Sequence, residues 1–341
     1  MVTALAVIVA LSVLIIVHEA GHFFAAKMLG VKVQEFGIGI PPRIASFTRG
    51  GTRYSINALP FGGFVKLDGE FDGAFVTSPA WKRAVILVAG VFMNVVLAWV
   101  LFSVVFMVGM SQNLVIASVL SGSPAEAAGV RMGDVIFGAE SAGRTLDAPV
   151  TAERFITFTG GAEDSLELLV KRNGAEERLT LAPRENPPAG EGRLGLELVD
   201  MGVSREPFFA SLWHGAQAAI GGFAAVAVGF ATLISRAFSE PGVLDAVSGP
   251  VGVFVVAKAA GALGAAYLLE LTAVISVNLA VLNLIPFPAL DGGRLLFVLF
   301  EKLRGKPLSA RVHTWSNAVG FALLIALMVI VTVKDLGKFV F

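Results

Sequence analysis

The sequence contains no cysteine, and only 15% of its 341 residues are charged. The absence of cysteine excludes disulfide bonds and thiolate metal sites. Soluble domains carry about 25% charged residues, whereas 55% of this chain is hydrophobic. The composition therefore indicates an integral membrane protein with some soluble mass attached. A formal net charge of zero argues against nucleic acid as a partner.

Long apolar segments predict four transmembrane helices. They cover residues 4–26, 84–110, about 267–286 and about 317–333. The first segment lacks a basic region in front of it, so we expect a membrane anchor and not a cleaved signal peptide.

Basic residues are concentrated in two segments that flank these spans. Residues 27–83 hold eight Lys or Arg and four acids, and residues 294–311 hold five basic residues and one acid. Both segments are therefore predicted to be cytoplasmic. With four spans, both termini and the segment between the second and third spans lie outside the cytoplasm.

A further apolar run at 207–236 is also long enough to span. A fifth span would reverse the third helix and separate Asp291 from His18 and His22. We therefore predict that residues 207–236 lie on the outer leaflet or dip into it. His214, within this run, is expected to be an interfacial or packing residue, not a metal ligand.

Two other segments contain strand-like patterns. Residues 113–206 carry fifteen acids and nine basic residues, with short β-like runs between turn signals, which predicts one small extracytoplasmic domain. Residues 33–66 are glycine-rich. They predict either β-hairpins beside the membrane, whose backbone amides could pair with an extended peptide, or an ordinary loop.

The chain reads HEAGH from His18 to His22, within the first apolar segment. Positions i and i+4 of a helix share a face, so His18 and His22 can bind one metal ion with Glu19 beside it. Ionisable side chains at this depth cost about 2.5–3.5 kcal/mol each, so three together require an explanation. A catalytic zinc ion explains all three, and a chance pentapeptide is the alternative.

A catalytic zinc ion takes three protein ligands, so the two histidines need a partner. The strongest carboxylate candidate is Asp291, within residues 283–293 (NLIPFPALDGG). Two prolines break the helix in this segment, and two glycines permit a tight turn. The break lies at the cytoplasmic end of the third span, and therefore at the depth of His18 and His22.

These two motifs, HExxH followed by NxxPxPxLDGG, resemble the site-2 protease family of intramembrane zinc metalloproteases. Residues 90–94 (GVFMN) are similar to the family's GxxxN element, and residues 248–252 (SGPVG) resemble its bacterial regulator-of-sigma-E protease branch. Members of that branch carry PDZ domains between the second and third spans. Residues 122–136 and 192–196 (GRLGL) resemble one such domain.

The resemblance implies a multi-span α-helical protein of the bacterial inner membrane. Its four transmembrane helices are accompanied by membrane-associated β-hairpins and one inserted extracytoplasmic α/β PDZ domain. The implied regions are residues 1–112 (two helices and the hairpins), 113–204 (PDZ), 205–264 (a helical region at the membrane surface) and 265–341 (two helices).

The resemblance also implies residue roles. His18, His22 and Asp291 would bind zinc, and Glu19 would act as general base and acid. Substrate contacts would come from Asn94, Asn278, Asn283 and Pro288. Two of these have a structural alternative, since Asn94 could instead join two helices by a hydrogen bond and Asn283 could cap the broken helix.

The implied activity is hydrolysis of peptide bonds within single-span membrane proteins, with the active site toward the cytoplasmic leaflet. Anti-sigma factors of stress responses and remnant signal peptides are the expected substrates, and the PDZ domain would bind a peptide. A membrane zinc transporter and an inactive PDZ scaffold are the alternatives. A transporter would not need Glu19, and a scaffold would tolerate its loss.

Overall fold

The computed structural model describes residues 2–69, 73–161, 165–172, 174–188, 191–236, 239 and 249–339. Ser248, of the motif at 248–252, lies outside them. The chain divides into two compact units, residues 108–206 and the remainder on both sides of them.

The unit formed by the two ends of the chain is helical, and five of its described helices are long and apolar enough to cross a membrane. These are α1 (Val2–Met28), α3 (Ala80–Val108), α6 (Phe208–Arg236), α8 (Ala265–Leu284) and α10 (Ala310–Phe339). Shorter helices in this unit are α2 (Ala74–Thr77), α7 (Pro250–Leu263) and α9 (Asp291–Arg304). Four of the long helices coincide with the predicted spans, and the chain is a multi-span membrane protein.

Helix α6 is the additional candidate span. It packs along α3 and α8, where Ala98, Ala219 and Val277 form one buried cluster. The Trp99 indole N–H donates to the Leu212 carbonyl at 2.9 Å. The length of α6 permits a span, so its placement at the outer leaflet stays a prediction.

Two long strands follow α1, where the sequence allowed either hairpins or a loop. Strands β1 (Val33–Arg49) and β2 (Thr52–Leu67) pair antiparallel. Both strands fold back, so that residues 35–38 pair with 53–56 on one side, and residues 33–38 pair with 63–67 on the other. Among the described strands, residues 63–67 pair on one side only, which makes them an edge of the sheet.

A buried ion pair fixes α9 against its neighbours. Glu301 accepts hydrogen bonds from Arg83 of α3, from the Leu308 amide and from His313 of α10. Burial opposes ionisation of Glu301, but the Leu308 amide, Arg83 and His313 outweigh it, so the pKa of this carboxyl lies below its usual range. The ion pair therefore fixes the helix whose first residue is Asp291.

The unit of residues 108–206 contains a six-stranded antiparallel sheet with the order β7-β6-β4-β3-β8, and β5 pairs with β4. The strands are β3 (Asn113–Val119), β4 (Val135–Ser141), β5 (Arg144–Asp147), β6 (Leu166–Arg172), β7 (Ala175–Leu181) and β8 (Leu196–Met201). Two helices accompany them, α4 (Pro124–Ala127) and α5 (Ala152–Gly160). The β-like runs that the sequence shows at residues 114–119, 166–170 and 178–181 fall on β3, β6 and β7.

Candidate metal centre

Helix α1 places two imidazoles one turn apart on a buried face. His18 is 6% exposed and His22 is 8% exposed, and their ring centroids lie 4.8 Å apart. Glu19, beside them, is half-buried, and a methyl group placed at Gly63 of β2 would lie 3.8 Å from its Cγ atom. The edge of the sheet thus lies against the carboxylate that the sequence predicts as the proton carrier.

The third candidate ligand comes from the break between α8 and α9. Helix α8 ends at Leu284, just before Pro286, because proline cannot continue the helical hydrogen bonds. Asp291 then begins α9.

The two glycines after Asp291 do not form the tight turn that the sequence predicted. They lie in the first turn of α9, and neither has a positive φ. A methyl group at Gly292 would lie 2.3 Å from the Leu284 carbonyl oxygen. Glycine is therefore needed here for close approach of backbone to backbone, not for a left-handed turn.

The ligand atoms of His18, His22 and Asp291 converge. The Oδ2 of Asp291 lies 3.0 Å from Nε2 of His18 and 3.2 Å from Nε2 of His22, and the two nitrogens are 3.1 Å apart. A tetrahedral zinc ion with bonds of about 2.0–2.1 Å holds its ligand atoms roughly 3.3 Å apart. The three side chains therefore fit a zinc ion with three protein ligands.

A cavity of about 350 Å³ opens onto this group. Its lining includes Glu19, Asn283 of α8, and Phe64 and Val65 of β2. Arg294 of α9 also lines the cavity. No motif of the sequence singles out Arg294, although its position three residues after Asp291 places it on the same side of α9.

The other predicted substrate contacts lie apart from this lining. Asn94 is fully buried, with its amide nitrogen 3.1 Å from Nδ1 of His18. Asn278 donates to the Val274 carbonyl of its own helix. The backbone of Pro288 packs closely against Gly320 of α10. Of the four predicted contacts, Asn283 is the one in the described cavity lining.

The remaining histidines lie outside the cluster of His18, His22 and Asp291, which is called the metal group below. The His214 ring packs against Phe106 at 5.9 Å between centroids, in keeping with the predicted packing role. His313 bonds Glu301.

Comparison with known proteins decides the family. The family model described as "Peptidase family M50" matches residues 6–327 of the chain. The chain belongs to peptidase family M50. A candidate zinc metalloprotease of Clostridium acetobutylicum is 33% identical over 338 residues, which cover 96% of this chain and 95% of the relative. Zinc metalloprotease RasP of Shouchella clausii is 30% identical over an alignment of 430 residues, covering 98% of this chain and 99% of the relative.

Membership of family M50 confirms the resemblance to site-2 proteases. It also confirms the predicted activity, a zinc metalloprotease, and the predicted cofactor. The transporter and the inactive scaffold are not supported. The assignment of His18, His22 and Asp291 as zinc ligands, and of Glu19 as the general base, stays a prediction.

Proposed function

We propose that this protease hydrolyses peptide bonds within the transmembrane segment of single-span membrane proteins. The observation that carries the proposal is the position of the metal group. His18 lies ten residues before the end of α1, a helix long and apolar enough to span. At a rise of about 1.5 Å per residue, His18 is roughly 15 Å from that end, well inside a hydrocarbon core of about 30 Å.

Different side chains around the cavity would bind the metal, transfer the proton and contact the substrate. His18, His22 and Asp291 would hold the zinc ion, which when bound lowers the pKa of water and polarises a carbonyl group. Glu19 accepts the proton of the attacking water and returns it to the leaving amine. Asn283 supports the substrate from the α8 side of the cavity.

The edge of the β1–β2 sheet offers a way to hold the substrate. A helical substrate hides its carbonyl groups in its own hydrogen bonds, so the cleaved stretch must be extended. Residues 63–67 leave one side of their backbone for pairing, and Phe64 and Val65 line the cavity. An extended substrate would add to this edge as a further strand next to Glu19.

The unit of residues 108–206 would act as a PDZ domain outside the cytoplasm. Strand β8 is the last strand of its sheet, and the loop at residues 192–196 leads into it. Arg193 of this loop donates to the carbonyls of Thr159 and Gly160 at the end of α5. A bound peptide, such as a newly exposed C-terminus, would pair with β8 as an added strand beside α5.

The charge distribution supports an orientation in the bacterial inner membrane. The basic segments at 27–83 and 294–311 face the cytoplasm under the positive-inside rule, with the active site toward the same leaflet. Both termini would then be extracytoplasmic. Single-span anti-sigma factors and remnant signal peptides each contain one apolar segment and would fit this geometry.

The test is cleavage of a model single-span substrate by the purified protein in detergent. We expect cleavage by the wild-type protein and none by Glu19→Gln, although that variant still binds zinc, because the amide cannot take up the proton. Elemental analysis checks the zinc content. Undiminished cleavage by Glu19→Gln would exclude the assigned mechanism.

A further inference from the structure

Asn94 lies beside the metal group and is not part of the cavity lining. It is 0% exposed and its amide nitrogen is 3.1 Å from Nδ1 of His18. Among the described residues, its Oδ1 has no hydrogen-bond partner. A fully buried side chain with this contact touches a candidate ligand and has no surface to offer a substrate.

The backbone around Asn94 is held firmly. The Ser276 hydroxyl of α8 donates to the Asn94 carbonyl at 2.8 Å. Gly90, one turn earlier on the same face of α3, lies directly against both imidazoles. The spacing of the GxxxN element therefore places a glycine at the ring edges and an amide at the outer nitrogen of His18.

The outer nitrogen of His22 is held by a hydrogen-bond acceptor. Its Nδ1 lies 2.7 Å from the Ile86 carbonyl oxygen, which can only accept. The proton of neutral His22 is therefore on Nδ1, and the lone pair of Nε2 faces the metal group. A zinc-binding histidine is commonly oriented by such an acceptor on its outer nitrogen.

We propose that Asn94 is the positioning residue that orients His18 for zinc. Rotation of the Asn94 amide by 180° exchanges Oδ1 and Nδ2 with little change in shape. Oδ1 then accepts from Nδ1–H of His18, and the Nε2 lone pair is directed at zinc. In the opposite orientation Nδ2 donates to Nδ1, which requires a proton on Nε2, where zinc would bind. The inference rests on the proposed assignment of His18 as a ligand.

Two substitutions separate acceptor from donor at this position. Asn94→Leu keeps the size and removes both functions, whereas Asn94→Asp keeps an acceptor and removes the donor. The full-length protein in detergent is stripped of metal, and its zinc affinity is measured by competition with a chelator of known affinity. Loss of such an outer hydrogen bond typically weakens metal binding by about 10–100-fold. We expect that loss for Asn94→Leu, and wild-type or tighter affinity for Asn94→Asp.

Controls distinguish positioning from packing. Ser276→Ala removes the hydroxyl that holds the Asn94 backbone but leaves His18 untouched, and we expect its zinc affinity to stay within about threefold of the wild type. Thermal unfolding of the metal-free variants reports whether they fold. If Asn94→Leu fails to fold, Asn94→Asp still tests the inference, because an acceptor role predicts retained zinc affinity and a donor role predicts its loss.

The results that would overturn the inference are distinct from those that would overturn the ligand assignment. Folded Asn94→Leu with unchanged zinc affinity, or Asn94→Asp with a tenfold loss, excludes the positioning role. A His18→Ala variant that binds zinc as tightly as the wild type excludes His18 as a ligand, and with it the basis of the inference.

Discussion

Gly90 lies so close to His22 that a methyl group in its place would be 2.4 Å from Nε2. The same methyl group would lie 2.8 Å from Cε1 of His18. The approach is equally close on the α1 side, since a methyl group at Gly21 of α1 would lie 2.3 Å from the Ala89 carbonyl oxygen of α3. Small residues on both helices therefore allow α1 and α3 to approach closely enough to enclose the metal group.

Gly90→Ala is expected to displace both imidazoles and to lower zinc content and proteolysis by at least about tenfold. Inserting an extra methyl group into a packed site typically costs about 1–3 kcal/mol, because neighbouring side chains must move. At the metal group the side chains that must move are the two imidazoles. The matched control is Gly221→Ala on α6, where nothing lies within 4 Å of the added methyl group. Equal zinc content in the two variants would contradict this account of Gly90.

Asp291→Asn is expected to lower zinc occupancy, because a neutral amide is a much weaker zinc ligand than a carboxylate. Elemental analysis of the purified variant, prepared beside the wild type, measures the effect. Asn283→Ala serves as a control, since Asn283 lines the cavity but lies outside the metal group. Unchanged zinc in Asp291→Asn would remove Asp291 from the ligand set.

A buried carboxylate makes the unit of residues 108–206 sensitive to acid. Arg172 donates two hydrogen bonds to Asp134, at 2.8 and 2.7 Å, and the Arg131 amide donates a third at 2.9 Å. Burial opposes ionisation of Asp134, but these contacts outweigh it and hold its pKa below the usual range. The stabilisation is fully present above the ordinary aspartate pKa of about 3.9, and is lost as pH falls through the lower folded value.

We therefore expect Asp134→Asn to speed amide hydrogen exchange in β4 and β6 of the full-length protein at neutral pH. The difference from the wild type should shrink at acid pH, where the wild-type carboxylate is itself protonated. Asp147→Asn, at an exposed position of β5, is the control and should exchange like the wild type. A difference that grows as pH falls would contradict the sign of the shift.

The sequence was sufficient to predict that His18, His22 and Asp291 converge, because helix periodicity pairs the two histidines and the parity of the spans adds the aspartate. His18 and His22 share a face of one helix, and the prolines that end α8 are visible in the sequence. Four spans place the end of the third helix on the cytoplasmic side. Asp291 is therefore predicted at the depth of His18, although 273 positions separate the two residues. These inferences need only helix periodicity and membrane thickness.

Other features depend on packing that no local pattern reveals. The place of Asn94 follows from the approach of α3 to α1, so the sequence could not separate a substrate contact from an interhelical bond. The fold-back of β1 and β2, which sets residues 63–67 beside Glu19, arises from pairing distant parts of both strands. Helix α6 is apolar enough to span, and its packing against α3 and α8 is a tertiary feature.

The central claim is that the zinc-dependent cut falls inside a transmembrane segment. Its most direct test is cleavage of a single-span substrate by the protein reconstituted in lipid vesicles, with both fragments mapped by mass spectrometry. We predict a cut within the apolar segment that is lost on chelation, restored by zinc and absent in Glu19→Gln. Cuts confined to the flanking soluble segments, or an internal cut that persists in Glu19→Gln, would contradict the account.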